Sequence, residues 1–272
     1  MIVFPNAKIN LGLRIIEKRQ DGYHNLESYM VPVAFYDVLE IVPSENGFSF
    51  SSSGIKLDTS SRHNLCVQAY DLIKRNYPIK PVKIYLHKLI PAGSGLGGGS
   101  SNATFTLSLL RRIFDLKFCN NELEDLAIML GSDCPFFVIN KPQEINNIGI
   151  TTRNFLPLPD FNIVIVTPGF NISTAEAYRH VKPSGKSIPN SKDLIGNYDK
   201  WPDLLFNDFE DYAFGLFPIL ADIKSKLYEM GAFYASMSGS GSAIYGLFKQ
   251  GPANMDMLSG FNHRLTKIIG SV

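Results

Sequence analysis

The sequence predicts an α+β fold. Strand-like and helix-like stretches follow one another without strict β-α-β alternation, which argues against a single doubly wound parallel sheet. A glycine-rich loop stands between an apolar strand and an amphipathic helix, and a second such loop separates two strands near the C-terminus. The chain has 272 residues, 45% hydrophobic and 19% charged, enough for one large or two ordinary domains.

Taken in order, Ile9, Leu11 and Leu13 alternate with Asn10 and Gly12, the pattern of a half-buried strand. Val38–Val42 and Phe48–Phe50 read as strands separated by the turn-forming Pro43–Gly47. Ala69, Leu72, Ile73 and Tyr77 form a helical stripe that stops before Pro78. Val82–Leu86 reads as a strand, and Ala103, Leu107, Leu110 and Phe114 recur at helical spacing. Leu123, Leu126, Ala127 and Leu130 predict another helix, with Asn120 or Asn121 as N-cap and Gly131 as the stop.

A second unit is expected to begin near Leu156–Pro159, which divides the chain into domains 1–155 and 156–272. Its strand is Asn162–Val166 and its helix carries Ile219, Ile223, Leu227 and Met230. Strands at Phe233–Ser236 and Ala243–Leu247 follow. Residues 182–197, rich in Ser, Pro, Gly and Lys, have the composition of a mobile loop.

Gly93-Ser94-Gly95-Leu96-Gly97-Gly98-Gly99-Ser100-Ser101 holds five glycines in its first seven residues. Glycines let backbone N–H groups approach an anion with no Cβ in the way, and a helix start adds donors and the positive end of its dipole. The P-loop pattern fails because Ser100, not lysine, follows Gly99. The dinucleotide pattern is formally present at Gly93, Gly95 and Gly98, with Asp115 about twenty residues beyond Gly95. Asp115 falls at the end of the predicted helix rather than after a second strand, and Pro91 breaks the entry from the first, so that reading is set aside. A plain linker would not be framed by a strand and a helix.

Lys8 and Asn10, two apart on one strand, share a face; a solvent-facing edge would give the same pattern. Asp21-Gly22-Tyr23-His24 is a turn whose aromatic face and imidazole suit a nucleobase, or simply a surface hairpin with a packed tyrosine. Asp133, between a helix end and Pro135, is expected to be partly desolvated. It either pairs with a cation, for which Lys8 is the candidate, or satisfies local N–H groups. As a pair, Asp133 would take a hydroxyl proton and Lys8 would steady the developing charge. Cys134 has no motif-linked base and is not read as a nucleophile. Met237–Ser242 is a glycine turn between strands.

Formal net charge is +1, with no basic excess pointing to nucleic acid. No apolar run is long enough to span a bilayer, and the N-terminus does not read as a signal peptide. Cys66, Cys119 and Cys134 lack metal-ligand spacing and read as free thiols in a reducing compartment, so a cytoplasmic location is expected.

The run Pro91–Ala103 resembles the phosphate loop of the GHMP kinases. Ala7–Leu13, Lys18–Leu26, Gly131–Pro135 and Met237–Gly241 are similar, in order, to further motifs of that family. They look most like its branch whose acceptor is a polyol bearing a cytidine diphosphate, on the way to isoprenoid precursors. The resemblance covers nearly the whole chain. It implies a two-domain GHMP kinase fold with the active site in the interdomain cleft, and transfer of the γ-phosphoryl of ATP, with Mg2+, to the acceptor's 2-hydroxyl.

Carried over residue by residue, it implies Lys8 and Asp133 as catalytic. ATP would be bound by Asn64, Lys88, Pro91, Ala92, Gly93, Ser94, Gly95, Leu96, Gly97, Gly98, Gly99, Ser100 and Ser101, with Ser100 or Ser101 touching the metal. The acceptor would be held by Asn10, Tyr23, His24 and Tyr178, and Ser238, Gly239, Ser240 and Gly241 would close over the phosphates. Leu205–Glu210 also resembles a family segment, without a chemical role. The partner is a small molecule, with no nucleic acid and no membrane, and the protein a monomer or weak homodimer. Asn147–Ile150 departs from the family's Gly-x-Gly-Glu turn by lacking the acid.

Two other functions compete: a homoserine- or mevalonate-type kinase, and a nucleotide-binding sensor without turnover. The Tyr23–His24 turn argues against the first, because those acceptors carry no base. Lys8 and Asp133 argue against the second.

Overall fold

Val82, Ile84 and Leu86 are buried while Tyr85 and His87 are exposed, so this strand packs one face on a core and leaves the other open. It lies in the first of two compact units of the computed structural model, which describes residues 1–57, 63–147 and 150–270. That unit comprises Met1–Ala7, Phe35–Ala92 and Gly97–Asn140. Its sheet has the order β1-β4-β6-β5, with β1 Ile2–Val3, β4 Val38–Pro43, β5 Ser49–Gly54 and β6 Val82–Lys88. β4 runs antiparallel to β1 and β6, and β5 parallel to β6. Helices α1 (Leu65–Asn76), α2 (Gly98–Ile113), α3 (Asn120–Ile128) and α4 (Phe136–Ile139) complete the unit. Tyr70 and Ile73 of α1 and Leu107 and Leu110 of α2 join Leu39, Ile41 and Ile84 in one core.

The second unit comprises Lys8–Ala34, Gly93–Leu96 and Lys141–Val272. It therefore gathers most of the long hairpin β2 (Asn6–Lys18) and β3 (His24–Tyr36) with the C-terminal half of the chain, which departs from a division at residue 155. Its two sheets have the orders β2-β3-β7-β8 and β10-β11-β9-β12. Here β7 is Gln143–Asn147, β8 Ile150–Phe155, β9 Asn162–Thr167, β10 Tyr234–Met237, β11 Ile244–Phe248 and β12 Asn262–Lys267. Helices α5 (Thr174–His180), α6 (Ser191–Leu194), α7 (Trp201–Leu204), α8 (Glu210–Leu216) and α9 (Ile219–Glu229) complete it. Trp201, fully buried, stacks edge-on against Phe161, Tyr198 and Tyr234 and donates to the Leu194 carbonyl at 3.1 Å.

Three expectations are corrected. β2 is buried on both faces from Asn6 to Leu13, not alternately, so Lys8 and Asn10 are interior residues. The N-cap of α3 is Cys119, because Glu122 reaches back to the Cys119 N–H at 2.8 Å. Residues 182–197 are tied down: Ser184 N–H bonds the Ile15 carbonyl (2.9 Å), Ile188 N–H bonds Glu27 (3.0 Å), and Tyr29 donates to the Pro189 carbonyl (3.0 Å). Of the departing turn, Ile148 and Gly149 lie outside the described residues. No helix among the described residues is long and apolar enough to cross a membrane.

Candidate active site

The first glycine loop leaves β6 and enters α2 at Gly98, with Gly97 in the left-handed region at φ 69°. The first N–H groups of a helix have no intrahelical partner and lie at the positive end of its dipole. Ala92, Gly93 and Gly99 are exposed and Pro91, Gly95 and Gly97 half-buried, while Ser94 and Leu96 turn inward. The Leu96 carbonyl accepts the Lys8 N–H at 2.9 Å, and the Ser94 carbonyl accepts the Ala243 N–H at 3.0 Å. Gly95 has φ 80°, and a Cβ there would stand 1.9 Å from the Ser238 carbonyl oxygen. Only glycine fits. Asp115 ends beyond α2 in an exposed ion pair with Lys117 and has no strand before it, in keeping with rejection of the dinucleotide reading.

Lys88 sits under the start of α2. It is 2% exposed and ion-paired to the fully buried Asp37. Burial pulls its pKa down, and the Asp37 charge opposes that pull. Asp37 also accepts from Leu89 N–H (2.7 Å), Ile90 N–H (2.9 Å) and Asn102 Nδ2 (2.9 Å). A Cβ on Gly98 would come within 2.8 Å of Lys88 Nζ. Lys88, expected as a nucleotide contact, has its ammonium buried beneath the loop and engaged by the Asp37 carboxylate. Asn64 caps α1, its side chain accepting from Cys66 N–H at 2.9 Å, and the adjoining Leu65 lies 3.5 Å from where a Gly99 Cβ would be.

Ser101 Oγ is buried with no hydrogen-bond partner, while Ser100 is half-buried, its hydroxyl beside the Cys134 thiol. Burial pushes that thiol up to about 12, which leaves it protonated and unsuited to attack. Thr104 Oγ1 donates to the Cys134 carbonyl at 2.8 Å and so holds the turn that carries the half-buried Asp133.

Lys8 Nζ donates to Asn10 Oδ1 at 2.6 Å, and Asn10 Nδ2 donates to Ser28 Oγ at 2.9 Å. The Ser28 hydroxyl donates on to the Gly12 carbonyl at 2.6 Å, and Tyr245 Oη donates to the Asn10 carbonyl at 2.6 Å. Asn10 is therefore a brace that orients the Lys8 ammonium.

The second glycine loop joins β10 to β11 and is buried from Met237 to Ser242. Ser238 Oγ donates to the Gly95 carbonyl at 2.9 Å, and Ser240 shares a hydrogen bond with Thr174 at 2.9 Å. Asn207 Nδ2 donates to the carbonyls of Met237 and Gly239, both at 2.8 Å, and Glu210 accepts from Met237 N–H (2.8 Å) and Ser236 Oγ (2.9 Å). The segment Leu205–Glu210, given no role from sequence, is this loop's support. Beyond its resemblance to a family segment, two acids, an amide and two aromatics in six residues were its signal.

The His24 and Tyr178 rings lie 5.1 Å apart, and Tyr178 meets Phe209 edge-on at 4.9 Å. Burial pulls the His24 imidazole below its ordinary pKa and the Lys18 charge adds to this, so it is neutral near pH 7. Tyr23 is 67% exposed at the hairpin turn, where Asp21 accepts its N–H at 3.1 Å. The structure groups His24 with Tyr178 and Phe209, and leaves Tyr23 on the rim.

The GHMP kinases N terminal domain matches residues 64–141, and the GHMP kinases C terminal domain matches 189–254. The chain is 48% identical over 253 residues to the 4-diphosphocytidyl-2-C-methyl-D-erythritol kinase of Azobacteroides pseudotrichonymphae, with 92% of this chain and 94% of the relative covered. It belongs to this kinase family, within the GHMP kinases. The enzyme of the same name from Porphyromonas gingivalis is 45% identical, with 93% of each chain covered. A crystal structure of a 4-(cytidine 5'-diphospho)-2C-methyl-D-erythritol kinase superposes with a TM-score of 0.83 at 31% identity, covering 100% of both chains. The mevalonate kinase of Methanococcus jannaschii shares the fold (TM-score 0.72) at 15% identity. The small-molecule kinase expected from sequence, its α+β class and its GHMP fold are therefore borne out.

Proposed function

We propose that this kinase transfers the γ-phosphoryl of ATP to the 2-hydroxyl of 4-diphosphocytidyl-2-C-methyl-D-erythritol, a cytoplasmic step towards isoprenoid precursors. The observation that carries the acceptor assignment is the shelf of His24, Tyr178 and Phe209. Homoserine or mevalonate would leave these rings unused, whereas a cytosine stacks on an aromatic face, and a neutral imidazole can hydrogen-bond its edge. Tyr23, on the rim, would cover the base from the open side.

At the reacting end, Asp133 would accept the hydroxyl proton as the oxygen attacks phosphorus in line. Lys8, oriented by Asn10, would stabilise the negative charge that develops there. Phosphoryl transfer needs mostly positioning and charge neutralisation, which one base and one braced ammonium would supply. The first loop would bind the phosphates through its backbone N–H groups, with Asn64 and Leu65 near the adenosine.

Among the described residues no three His, Cys, Asp or Glu side chains cluster as metal ligands. A magnesium ion delivered on the nucleotide, and shielding its phosphates, requires few protein donors. The unpartnered hydroxyl of Ser101 fits it better than that of Ser100, which is engaged with Cys134. The test is ATP consumption by the purified protein with the cytidylyl acceptor, homoserine, mevalonate or no acceptor. Turnover with the first alone is expected. Turnover with another acceptor, or with none, overturns the assignment.

A further inference from the structure

We propose that Asn207 is a positioning residue that sets the second glycine loop and the aromatic shelf through opposite ends of one carboxamide. Asn207 is buried on the short stretch between α7 and α8, and this stretch is fixed to β2. Leu13 N–H bonds the Phe206 carbonyl at 2.8 Å, and Asp208 N–H bonds the Leu13 carbonyl at 2.9 Å. Asp208 further accepts from Arg14 Nη1 (2.8 Å) and Ile15 N–H (2.7 Å). The stretch is therefore tied along the strand that carries Lys8 and Asn10.

From this fixed point Nδ2 spends both hydrogens on the Met237 and Gly239 carbonyls, each at 2.8 Å. Those carbonyls flank Ser238, whose own carbonyl and hydroxyl meet Gly95 of the phosphate loop. Oδ1 accepts from Phe209 N–H at 3.0 Å. Phe209 is fully buried, and its ring carries Tyr178, which faces His24. The amide hydrogens thus act on the nucleotide end and the amide oxygen on the base end. An aspartate keeps the oxygen that serves Phe209 and loses the donors to the loop.

The inference rests on the reading that the loops hold ATP and the shelf holds cytosine, and the experiment separates the two. Wild type, Asn207→Asp, Asn207→Ser and Phe209→Leu are compared by steady-state kinetics with ATP varied, by calorimetric titration with cytidine diphosphate alone, and by thermal melting. Asn207→Asp is expected to raise the KM for ATP roughly ten- to hundredfold, the worth of two lost hydrogen bonds, with cytidine diphosphate affinity within about twofold of wild type. Phe209→Leu is expected to show the reverse split. Asn207→Ser, whose shorter hydroxyl reaches neither carbonyl but sets no carboxylate against them, provides the milder loop variant, and its KM for ATP is expected between those of wild type and Asn207→Asp. Either loop variant with an unchanged KM for ATP, or one that moves both ligands equally in step with its melting temperature, overturns the inference and leaves Asn207 a purely structural residue. Absence of acceptor-dependent ATP consumption in wild type instead overturns the functional reading itself.

Discussion

The two glycine loops look alike in sequence and differ in their foundations. The first, Gly93–Ser101, exposes part of its backbone and opens a 16-residue helix whose start lies over the buried Lys88–Asp37 pair. The second, Met237–Ser242, is buried throughout and hangs from an amide and a carboxylate, Asn207 and Glu210. One leaves backbone open at its surface, and the other is a stop against which Gly95 rests. A run of glycine therefore marks where backbone must come close to something, and its supports decide whether that is a phosphate or another stretch of chain.

The charged foundation is where the comparison breaks most easily. Lys88→Ala leaves the Asp37 carboxyl buried without its cation, so a stability loss of about 3–5 kcal/mol is expected in urea denaturation. Glu210→Gln keeps the shape of the second loop's support and is expected to cost less. Equal losses would erase the distinction between the loops.

Next comes Gly95→Ala, where the new methyl meets the Ser238 carbonyl and φ is positive. A loss of about 1–3 kcal/mol in stability is expected, with a raised KM for ATP. A neutral result would mean the loops do not press on one another. Tyr178→Ala should weaken cytidine diphosphate binding by about 1–3 kcal/mol while sparing ATP. Tyr23→Ala should cost less, because its ring is exposed.

The smallest expected effect concerns pH. The folded His24 has a lower pKa than the unfolded histidine value of 6.5. As pH falls through that value the unfolded chain takes up the proton first, so stability declines until the folded ring is itself protonated. His24→Asn should flatten this slope, as measured by denaturation at stepped pH, and an unaltered slope would contradict a buried neutral imidazole.

The fold class and the first glycine turn were legible because each rests on local rules. Val82–Leu86 alternates, Gly93–Gly99 permits close approach, and Ala103–Leu110 keeps helical spacing. β3 was not legible: its burial runs unbroken from Ser28 to Val33 across Pro32, so the alternation at its two ends does not carry through its middle. α4, α6 and α7 are four residues each, too short for a helical period. Lys8 and Asn10 were identified correctly as neighbours on one strand, but their depth depends on a second face of β2 that sequence alternation does not report. Lys88 reads like any exposed cation because Asp37, its partner, lies 51 residues away. Asn207 was invisible for the same reason, its bonds reaching 30 and 32 residues ahead.

The most direct test of the chemistry is the turnover of Asp133→Asn at saturating ATP and cytidylyl acceptor, with nucleotide affinity measured in parallel. Loss of a general base predicts a kcat lower by about 10²- to 10⁴-fold with nucleotide affinity essentially unchanged. A kcat close to wild type would show that the acceptor's proton leaves by another route and would remove Asp133 from the reaction.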